Sequence, residues 1–270
     1  MGRLYCVFAT AVFLAGVALA PGLAGAGEID EIRQRFHENV GKNLAKIKDM
    51  AAVEDVSTRL PGGKTLRQRV KLFTKGPMIR YEVQAYLRGG AVLKFLTIFN
   101  GEQAWTITPA GKLVEIGQDT HGGARPDPVL KYIGLSLGPD SKIVGKKRFE
   151  GKPVVIVDNG AGQTLWLDET AAIPLKMEAL SPVGSKAEWI FHNFKRVNQV
   201  ADIPHEVKFI ADGAVFYHHV MLVALNAGLA DSLFDPFALA DAQPEPTTPI
   251  SPEPNPGAPV PPTIPPHMGN

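Results

Sequence analysis

The chain has 270 residues, of which 45% are hydrophobic and 20% are charged, and its formal net charge is +1 at pH 7. This composition is typical of a globular protein with a sizeable core and excludes an intrinsically disordered chain. The near-zero net charge leaves no polybasic footprint, so nucleic acid is not expected as a partner. Sheet-rich folds often exceed 200 residues as one domain, and one folded domain is expected here.

The first 26 residues are typical of an export signal that is removed from the mature protein. Arg3 supplies the positive start, residues 7–19 form the apolar stretch, and Ala24-Gly25-Ala26 offers small residues for cleavage. Such a segment is too short for a spanning helix, so we expect export and cleavage near Ala26, with an uncleaved anchor as the alternative. The only cysteine, Cys6, lies inside this segment. The mature chain is therefore expected to contain no disulfide and no thiolate metal site.

Residues 28–50 are predicted to form an amphipathic helix. Apolar side chains recur there every three or four residues and form one stripe: Ile29, Ile32, Phe36, Val40, Leu44 and Ile47. This spacing is that of a helix with one face on a core.

The following segments are predicted to be strands. Residues 79–87 alternate apolar and polar side chains, which indicates one buried and one wet sheet face. Residues 92–99 are apolar at nearly every position, as in a covered central strand. Asn100-Gly101 then predicts a hairpin with a type I′ turn. Turn signals recur along the chain and separate roughly eleven to thirteen candidate strands without intervening helices, which predicts an antiparallel meander.

Two segments depart from the strand pattern. Residues 121–128 form a Gly/Pro-rich loop, and Asp127-Pro128 is expected to start a short helix that runs to about Ile133, with proline at its first position. After Phe237 the chain is dense in proline, and residues 238–270 are predicted to be a disordered tail. The folded domain is therefore expected to span residues 27–237.

One motif resembles a catalytic element. Residues 134–138 match G-x-S-x-G, the nucleophile elbow, with Ser136 in the nucleophile position. That motif needs a strand before the serine and a helix after it, whereas Gly138-Pro139-Asp140 predicts a turn. The preferred interpretation is a helix that ends at Gly134.

Other catalytic and metal-binding patterns are missing from the sequence. His218 and His219 are adjacent on a candidate strand, so they point to opposite faces and cannot share a metal ion. The acids Asp158, Asp168 and Glu178 lie beside predicted turns, where carboxylates are usually solvated. We therefore expect no catalytic residue, no metal, no cofactor and no enzymatic activity.

Several candidate strands are apolar on both faces, which is more than a sheet with one wet face requires. They are residues 92–99, 154–157, 187–194 and 214–225. The second apolar face must be covered. From these residues alone, a sheet folded into a packed barrel and a sheet that lines an apolar cavity are equally consistent with the pattern.

Two blocks of sequence carry a family resemblance. The first contains Pro77, then Arg80-Tyr81-Glu82, an apolar strand, Asn100-Gly101, Trp105 and Pro109. The second contains Leu165-Trp166-Leu167-Asp168-Glu169, followed by Ile173-Pro174-Leu175-Lys176-Met177-Glu178. Together they resemble the LolA-like proteins, which are periplasmic carriers of outer-membrane lipoproteins and their relatives. The resemblance covers roughly residues 28–236.

The resemblance implies a mainly β (α+β) fold, in which one curved antiparallel sheet forms an open half-barrel. An N-terminal helix and a short lid helix would cover its concave side, and a loop at residues 121–137 would open to admit ligand. It further implies a monomeric periplasmic carrier that shelters acyl chains of a lipoprotein or an envelope lipid, with an inner-membrane donor and an outer-membrane acceptor. The ligand-binding residues expected on this basis are Tyr81, Leu93, Phe95, Trp105, Trp166 and Trp189.

One departure from the family pattern affects the mechanism. LolA carriers themselves bear an arginine just before the proline of the first block, and Gly76 stands there in this chain. This favours the broader LolA-like set over energy-coupled lipoprotein release. The alternative function is a periplasmic regulatory module that uses the same half-barrel to sense lipid or misfolded protein.

Overall fold

The structure is a computed structural model that describes residues 24–87, 89–108, 111–116, 127–180 and 184–240. The export signal up to residue 23, the loop at residues 117–126 and the tail from residue 241 onward lie outside the described residues. What the sequence predicts for these three segments therefore remains a prediction.

The N-terminal helical region is shorter than its apolar stripe predicts. Helix α1 (Ala24–Phe36) continues through a π-helical turn (His37–Gly41) into a last turn, α2 (Lys42–Leu44). The prediction of a helix to residue 50 is wrong at its end, because Asp49 and Met50 already belong to the first strand.

The helical region ends at Leu44 because of tertiary contacts, although the apolar stripe continues to Ile47. Asn226 accepts a hydrogen bond from the Lys48 amide at 2.7 Å and donates one to the Lys46 carbonyl at 3.0 Å. The buried Asp49 carboxylate accepts hydrogen bonds from the amides of Ala227 and Gly228. These contacts from the far end of the chain fix residues 45–48 as a turn.

Thirteen strands follow in the described ranges, which agrees with the predicted eleven to thirteen. They are β1 (Asp49–Arg59), β2 (Thr65–Lys75), β3 (Met78–Tyr86), β4 (Val92–Phe99), β5 (Ala104–Ile107), β6 (Leu113–Ile116), β7 (Lys142–Phe149), β8 (Lys152–Asp158), β9 (Gln163–Asp168), β10 (Pro174–Leu180), β11 (Lys186–Val197), β12 (Ala201–Ala211) and β13 (Ala214–Leu225).

All thirteen strands form one antiparallel sheet in the order β6-β5-β4-β3-β2-β1-β13-β12-β11-β10-β9-β8-β7. The chain thus forms two meanders that meet where β1 pairs with β13. Among the described strands β6 and β7 are the edges, so the sheet is open. This confirms the predicted open half-barrel with an N-terminal helix and a short lid helix.

Two local predictions about the β4 region need correction. The β4–β5 connection is a hairpin, but not one with a type I′ turn: Asn100 Oδ1 accepts hydrogen bonds from the amides of Glu102 and Gln103, and only Gly101 has a positive φ, +103°. In addition, β4 is not covered throughout, because Val92, Leu93 and Phe95 are exposed.

Three short helical elements complete the structure. Helix α3 (Pro128–Ile133) begins and ends as predicted, with Asp127 as its N-cap and Gly134 as its C-cap. A 3₁₀ turn (Asp231–Phe234) and helix α4 (Pro236–Ala240) follow the last strand. We call residues 231–240 the C-terminal strap.

The Asn226 contact generates a prediction about stability. Asn226→Ala removes both hydrogen bonds to the turn and places alanine at a φ of +57°, so the free energy of unfolding should fall by about 2–3 kcal/mol. Asn226→Gly loses the same hydrogen bonds without the strain and should cost about 1 kcal/mol less. Urea unfolding of both variants measures the difference. Equal stabilities of wild type and Asn226→Ala would contradict this account of the helix end.

Candidate functional site

The two faces of the sheet can be followed from strand to strand by register. Successive residues of a strand point to opposite faces, while directly paired residues share a face. We call the face on which α1 and α3 pack the inner face. Its core joins helical residues such as Ile32, Phe36 and Tyr132 to strand residues such as Leu167 and Phe191.

This helical cover and its core lie mainly over one half of the inner face, the half that β8–β13 and β1 form. Tyr132 of α3 packs edge-on against Phe191 at 5.3 Å between ring centroids. Trp189 stacks on Phe209 at 4.8 Å, and Phe209 stacks on Phe216 at 5.2 Å. The predicted ligand-binding residue Trp189 is thus a buried member of this aromatic core.

The other half of the inner face, formed by β3–β6, exposes apolar side chains. Leu93 and Phe95 on β4 are 36% and 40% exposed, and Val114 on β6 is 36% exposed. Leu93 pairs with Ala85 and Phe95 pairs with Val83, so they continue the inner face of β3. We call this surface the apolar trough; it consists of Tyr81, Val83, Leu93, Phe95 and Val114.

Three predicted ligand-binding residues therefore lie together. Tyr81 on β3 is half-buried, and Leu93 and Phe95 are exposed beside it on the same face. Tyr81 also packs against the edge of the core and so links the trough to the covered half. The structure brings these three into one surface.

The other two tryptophans project from the opposite, outer face. Trp105 pairs with Ile98, is 6% exposed, and packs against Phe237 of the C-terminal strap at 6.1 Å between ring centroids. Trp166 lies between Phe149, at 5.6 Å between ring centroids, and the Lys176 ammonium, 4.8 Å from its ring centroid. Neither tryptophan shares a face with the trough.

The strap forms a small cleft with this outer face. The cleft has a volume of about 270 Å³, and its lining includes Met78, Trp105, Phe234 and Phe237. Lys75 holds the strap through an ion pair with Asp231 at 2.6 Å. The cleft is on the far side of the sheet from the trough and is shallow, so we assign it a structural role.

A buried polar cluster lies on the inner face between the two halves. Glu54 on β1 is fully buried, and its Oε2 lies 2.8 Å from Nδ1 of His218 on β13. Asp127, the N-cap of α3, is also buried, and its Oδ1 accepts hydrogen bonds from the amides of Val129 and Leu130. The charges of Glu54 and His218 both act on Asp127, so the start of α3 belongs to the same cluster as these two strand residues.

Burial determines the protonation of these acids. Desolvation raises the pKa of Glu54 to about 8. Desolvation, followed by the nearby charge of Glu54, raises the pKa of Asp127 to about 7, while His218 and the two backbone hydrogen bonds act in the opposite direction. At neutral pH the cluster therefore retains protons that solvated carboxyls would lose.

Sequence reasoning did not identify this cluster. His218 and His219 do point to opposite faces, as predicted, with His218 buried and His219 exposed. The available signal was Glu54, a charged residue at an inward position of the alternating run Ala52, Glu54, Val56 and Thr58. Its partner His218 is 164 positions away, and only the β1–β13 pairing brings the two together.

The nucleophile-elbow motif at residues 134–138 does not have the geometry of a catalytic site. Ser136 lies in the irregular segment between α3 and β7, so neither a strand before it nor a helix after it is present. Within the described ranges, no group of three or more His, Cys, Asp or Glu residues could hold a metal ion. No helix in that part of the chain is long and apolar enough to cross a membrane.

Solved structures with this architecture are known, whereas no family model and no curated protein matches the chain. A DUF1329 family protein from Desulfovibrio piger is 14% identical, with 79% of this chain and 98% of that chain covered and a TM-score of 0.54. A LolA superfamily protein from Nitrosomonas europaea is 14% identical, with 76% and 96% covered and a TM-score of 0.52.

A third similar structure is a domain from Vibrio parahaemolyticus that is described as an outer-membrane lipoprotein-sorting protein. It is 18% identical, with 80% of this chain and 98% of that chain covered and a TM-score of 0.50. The three similarities confirm the resemblance at the level of fold: this chain has a LolA-like fold.

The raised pKa values predict how stability depends on pH. An acid whose pKa is higher in the folded state binds its proton there while the unfolded chain has already lost it. Stability is therefore greatest below the ordinary carboxyl pKa and falls as pH rises towards 8. Between pH 5 and pH 8 the contribution of Glu54 alone should fall by on the order of 2–4 kcal/mol.

Glu54→Gln should remove most of this dependence and make the protein more stable than wild type at pH 8. Urea unfolding at pH 5, 6, 7 and 8 measures the effect, with the exposed Glu206→Gln as the matched control. If the free energies of unfolding of wild type and Glu54→Gln change with pH in the same way, the assignment of the raised pKa to Glu54 is refuted.

Proposed function

Starting from the LolA-like fold, we propose that the protein is a periplasmic carrier that shelters the acyl chains of a lipoprotein or an envelope lipid. The observation that supports this function best is the apolar trough. It is an inner-face surface on which Leu93, Phe95 and Val114 are each more than a third exposed.

The exposed apolar side chains of the open half are unusual, because the same face of the other half is covered by helices. A protein that needed only a packed core would bury the second half of its inner face in the same way, because exposing large apolar side chains to water is unfavourable. An acyl chain in the trough would bury Phe95, Leu93 and their neighbours at about 25 cal/mol per Å² of apolar surface. Binding and release would then need no covalent chemistry.

The trough also lies where an incoming chain could continue towards the lid. Tyr81 contacts both the trough and the core, and the β4–β3–β2–β1 register leads from Phe95 towards the strands beneath α3. In this proposal α3 closes over bound ligand, and Tyr81, Leu93 and Phe95 contact the acyl chain. An inner-membrane donor and an outer-membrane acceptor would be the partners.

Phe95→Asp tests the carrier function. Phe95 is 40% exposed, so a carboxylate there stays hydrated and the melting temperature should change by no more than a few degrees. Uptake of a fluorescent fatty-acyl probe should fall at least tenfold, because the charge would have to be buried under the chain. Leu222→Asp, at an exposed apolar residue on the outer face, is the control and should take up the probe normally.

Two outcomes would count against the carrier function. The first is a wild-type protein that takes up no acyl probe. The second is a folded Phe95→Asp variant with normal uptake, which would remove the trough from the binding site.

The location can be tested separately from the activity. We expect the exported protein to begin at or near Gly27, since Ala24-Gly25-Ala26 precedes it. Intact mass of the protein released from the periplasm measures this directly. Recovery of the full-length chain in the membrane fraction would contradict both cleavage and the proposed location.

A further inference from the structure

Two buried carboxyl oxygens on the inner face have no hydrogen-bond partner in the described part of the chain. They are Glu54 Oε1 and Asp127 Oδ2. The second oxygen of each carboxyl is engaged, by His218 Nδ1 and by two backbone amides respectively. Buried polar atoms without a partner are costly and uncommon, so two in one place call for a physical reason. We call Glu54 and Asp127 the carboxyl pair.

The carboxyl pair bridges two parts of the structure. Glu54 is on β1 near the centre of the sheet, and Asp127 is the N-cap of α3, which packs on β12 and on Phe191 of β11. The Glu54 charge contributes to the raised pKa of Asp127, so the two groups are near each other, yet no hydrogen bond joins them. A single polar group between them could satisfy both free oxygens.

The carboxyl pair is also in line with the apolar trough. On the inner face, Phe95 pairs with Val83, Val83 with Val70, and Val70 with Glu54. Burial increases along this row, from the exposed Phe95 through the half-buried Val83 to the buried Val70 and Glu54. Three strand spacings separate the two ends, a distance of roughly 14–15 Å. An extended acyl chain along the row would end with its polar group at Glu54.

We propose that the carboxyl pair binds the polar end of the amphiphile carried in the trough, and that it selects a neutral, hydroxyl-bearing head such as that of an acylglycerol. This inference rests on the proposed carrier function and adds the ligand class. Because Asp127 caps α3, a head that contacts both carboxyls binds the floor of the sheet and the lid helix together.

The charges at the site favour a neutral head over the alternatives. The described titratable groups that meet there are Glu54 on β1, His218 on β13 and Asp127 at the start of α3. An ionised phosphate or carboxylate head has no hydrogen to donate to the free oxygens, Oε1 of Glu54 and Oδ2 of Asp127, and the ionised fraction of Asp127 would repel it. Since Glu54 is mostly protonated at pH 7 and Asp127 is about half protonated, an ammonium head would find no pair of fixed negative charges. A hydroxyl both donates and accepts, which matches carboxyl groups in either state.

The test compares three ligands with the same C18 tail and different heads: monooleoylglycerol, oleate and oleylamine. Each is titrated at pH 7 against the exported protein carrying a bound fluorescent acyl probe, and displacement is measured. Wild type should release the probe at about fivefold to tenfold lower concentrations of monooleoylglycerol than of the other two.

Two variants examine the carboxyl pair itself. In Glu54→Leu and in Asp127→Ser, the concentrations at which the three ligands displace the probe should lie within about twofold of one another. The acyl probe itself should still bind to both variants. Serine keeps an N-cap for α3, so Asp127→Ser gives a result even where Glu54→Leu does not fold. Glu206→Leu, at an exposed glutamate on the outer face, should keep the wild-type preference.

The outcomes separate this inference from the carrier function. A wild type that binds the probe but treats the three heads alike, or that prefers oleylamine, overturns the neutral-head assignment and leaves the carrier function intact. Retention of the preference in both variants removes the carboxyl pair from the site. A wild type that binds none of the acyl compounds overturns the carrier function, and the head assignment with it.

Discussion

The burial of the inner face is the constraint on which the rest of this structure depends. Thirteen antiparallel strands in one open sheet present a long inner surface, and α1 and α3 are too short to cover all of it. The helices pack over the half formed mainly by β8–β13, where Tyr132, Phe191 and Trp189 build a continuous core. What remains is an exposed strip on β3–β6. One half of the inner face is therefore a packed core and the other is exposed, because the helices are too short to cover both.

The border between the halves carries the polar groups. Glu54 lies among Val70, Val220 and other apolar neighbours, and the desolvation of its carboxyl is energetically unfavourable. An ordinary core would place a leucine there. The structure instead places His218 against the Glu54 carboxyl, and the charge of Glu54 acts on Asp127, the cap of α3. A cost in stability at this point is consistent with a functional role.

Much of the fold could be predicted from sequence, for identifiable reasons. Strand β4 and helix α3 lie where the continuous apolar run, the flanking turn residues and the Asp127-Pro128 start place them, because these signals are local. The end of the N-terminal helical region could not be found in this way, since Asn226 fixes it from the opposite end of the domain. The same holds for the type of turn at Asn100, where the asparagine side chain satisfies the backbone amides itself.

The candidate site was only partly predictable. Tyr81, Leu93 and Phe95 were identified as ligand-binding residues and do share one surface. Trp105 was identified with them, yet it lies on the outer face under the strap. Where a strand is apolar on both faces, alternation does not tell which face is inward, and only the cover on each face decides. Glu54 and His218 required the β1–β13 pairing, which no local pattern predicts.

The separation of core and trough has a consequence for how proteins of this architecture diverge. Substitutions at exposed positions such as Leu93 and Phe95 change little in the free energy of folding, whereas substitutions at Leu167 or Phe191 are constrained by close packing. Mutational drift can therefore alter the shape and chemistry of the trough while the scaffold persists. Solved structures that share this fold at 14–18% identity are what such freedom would produce.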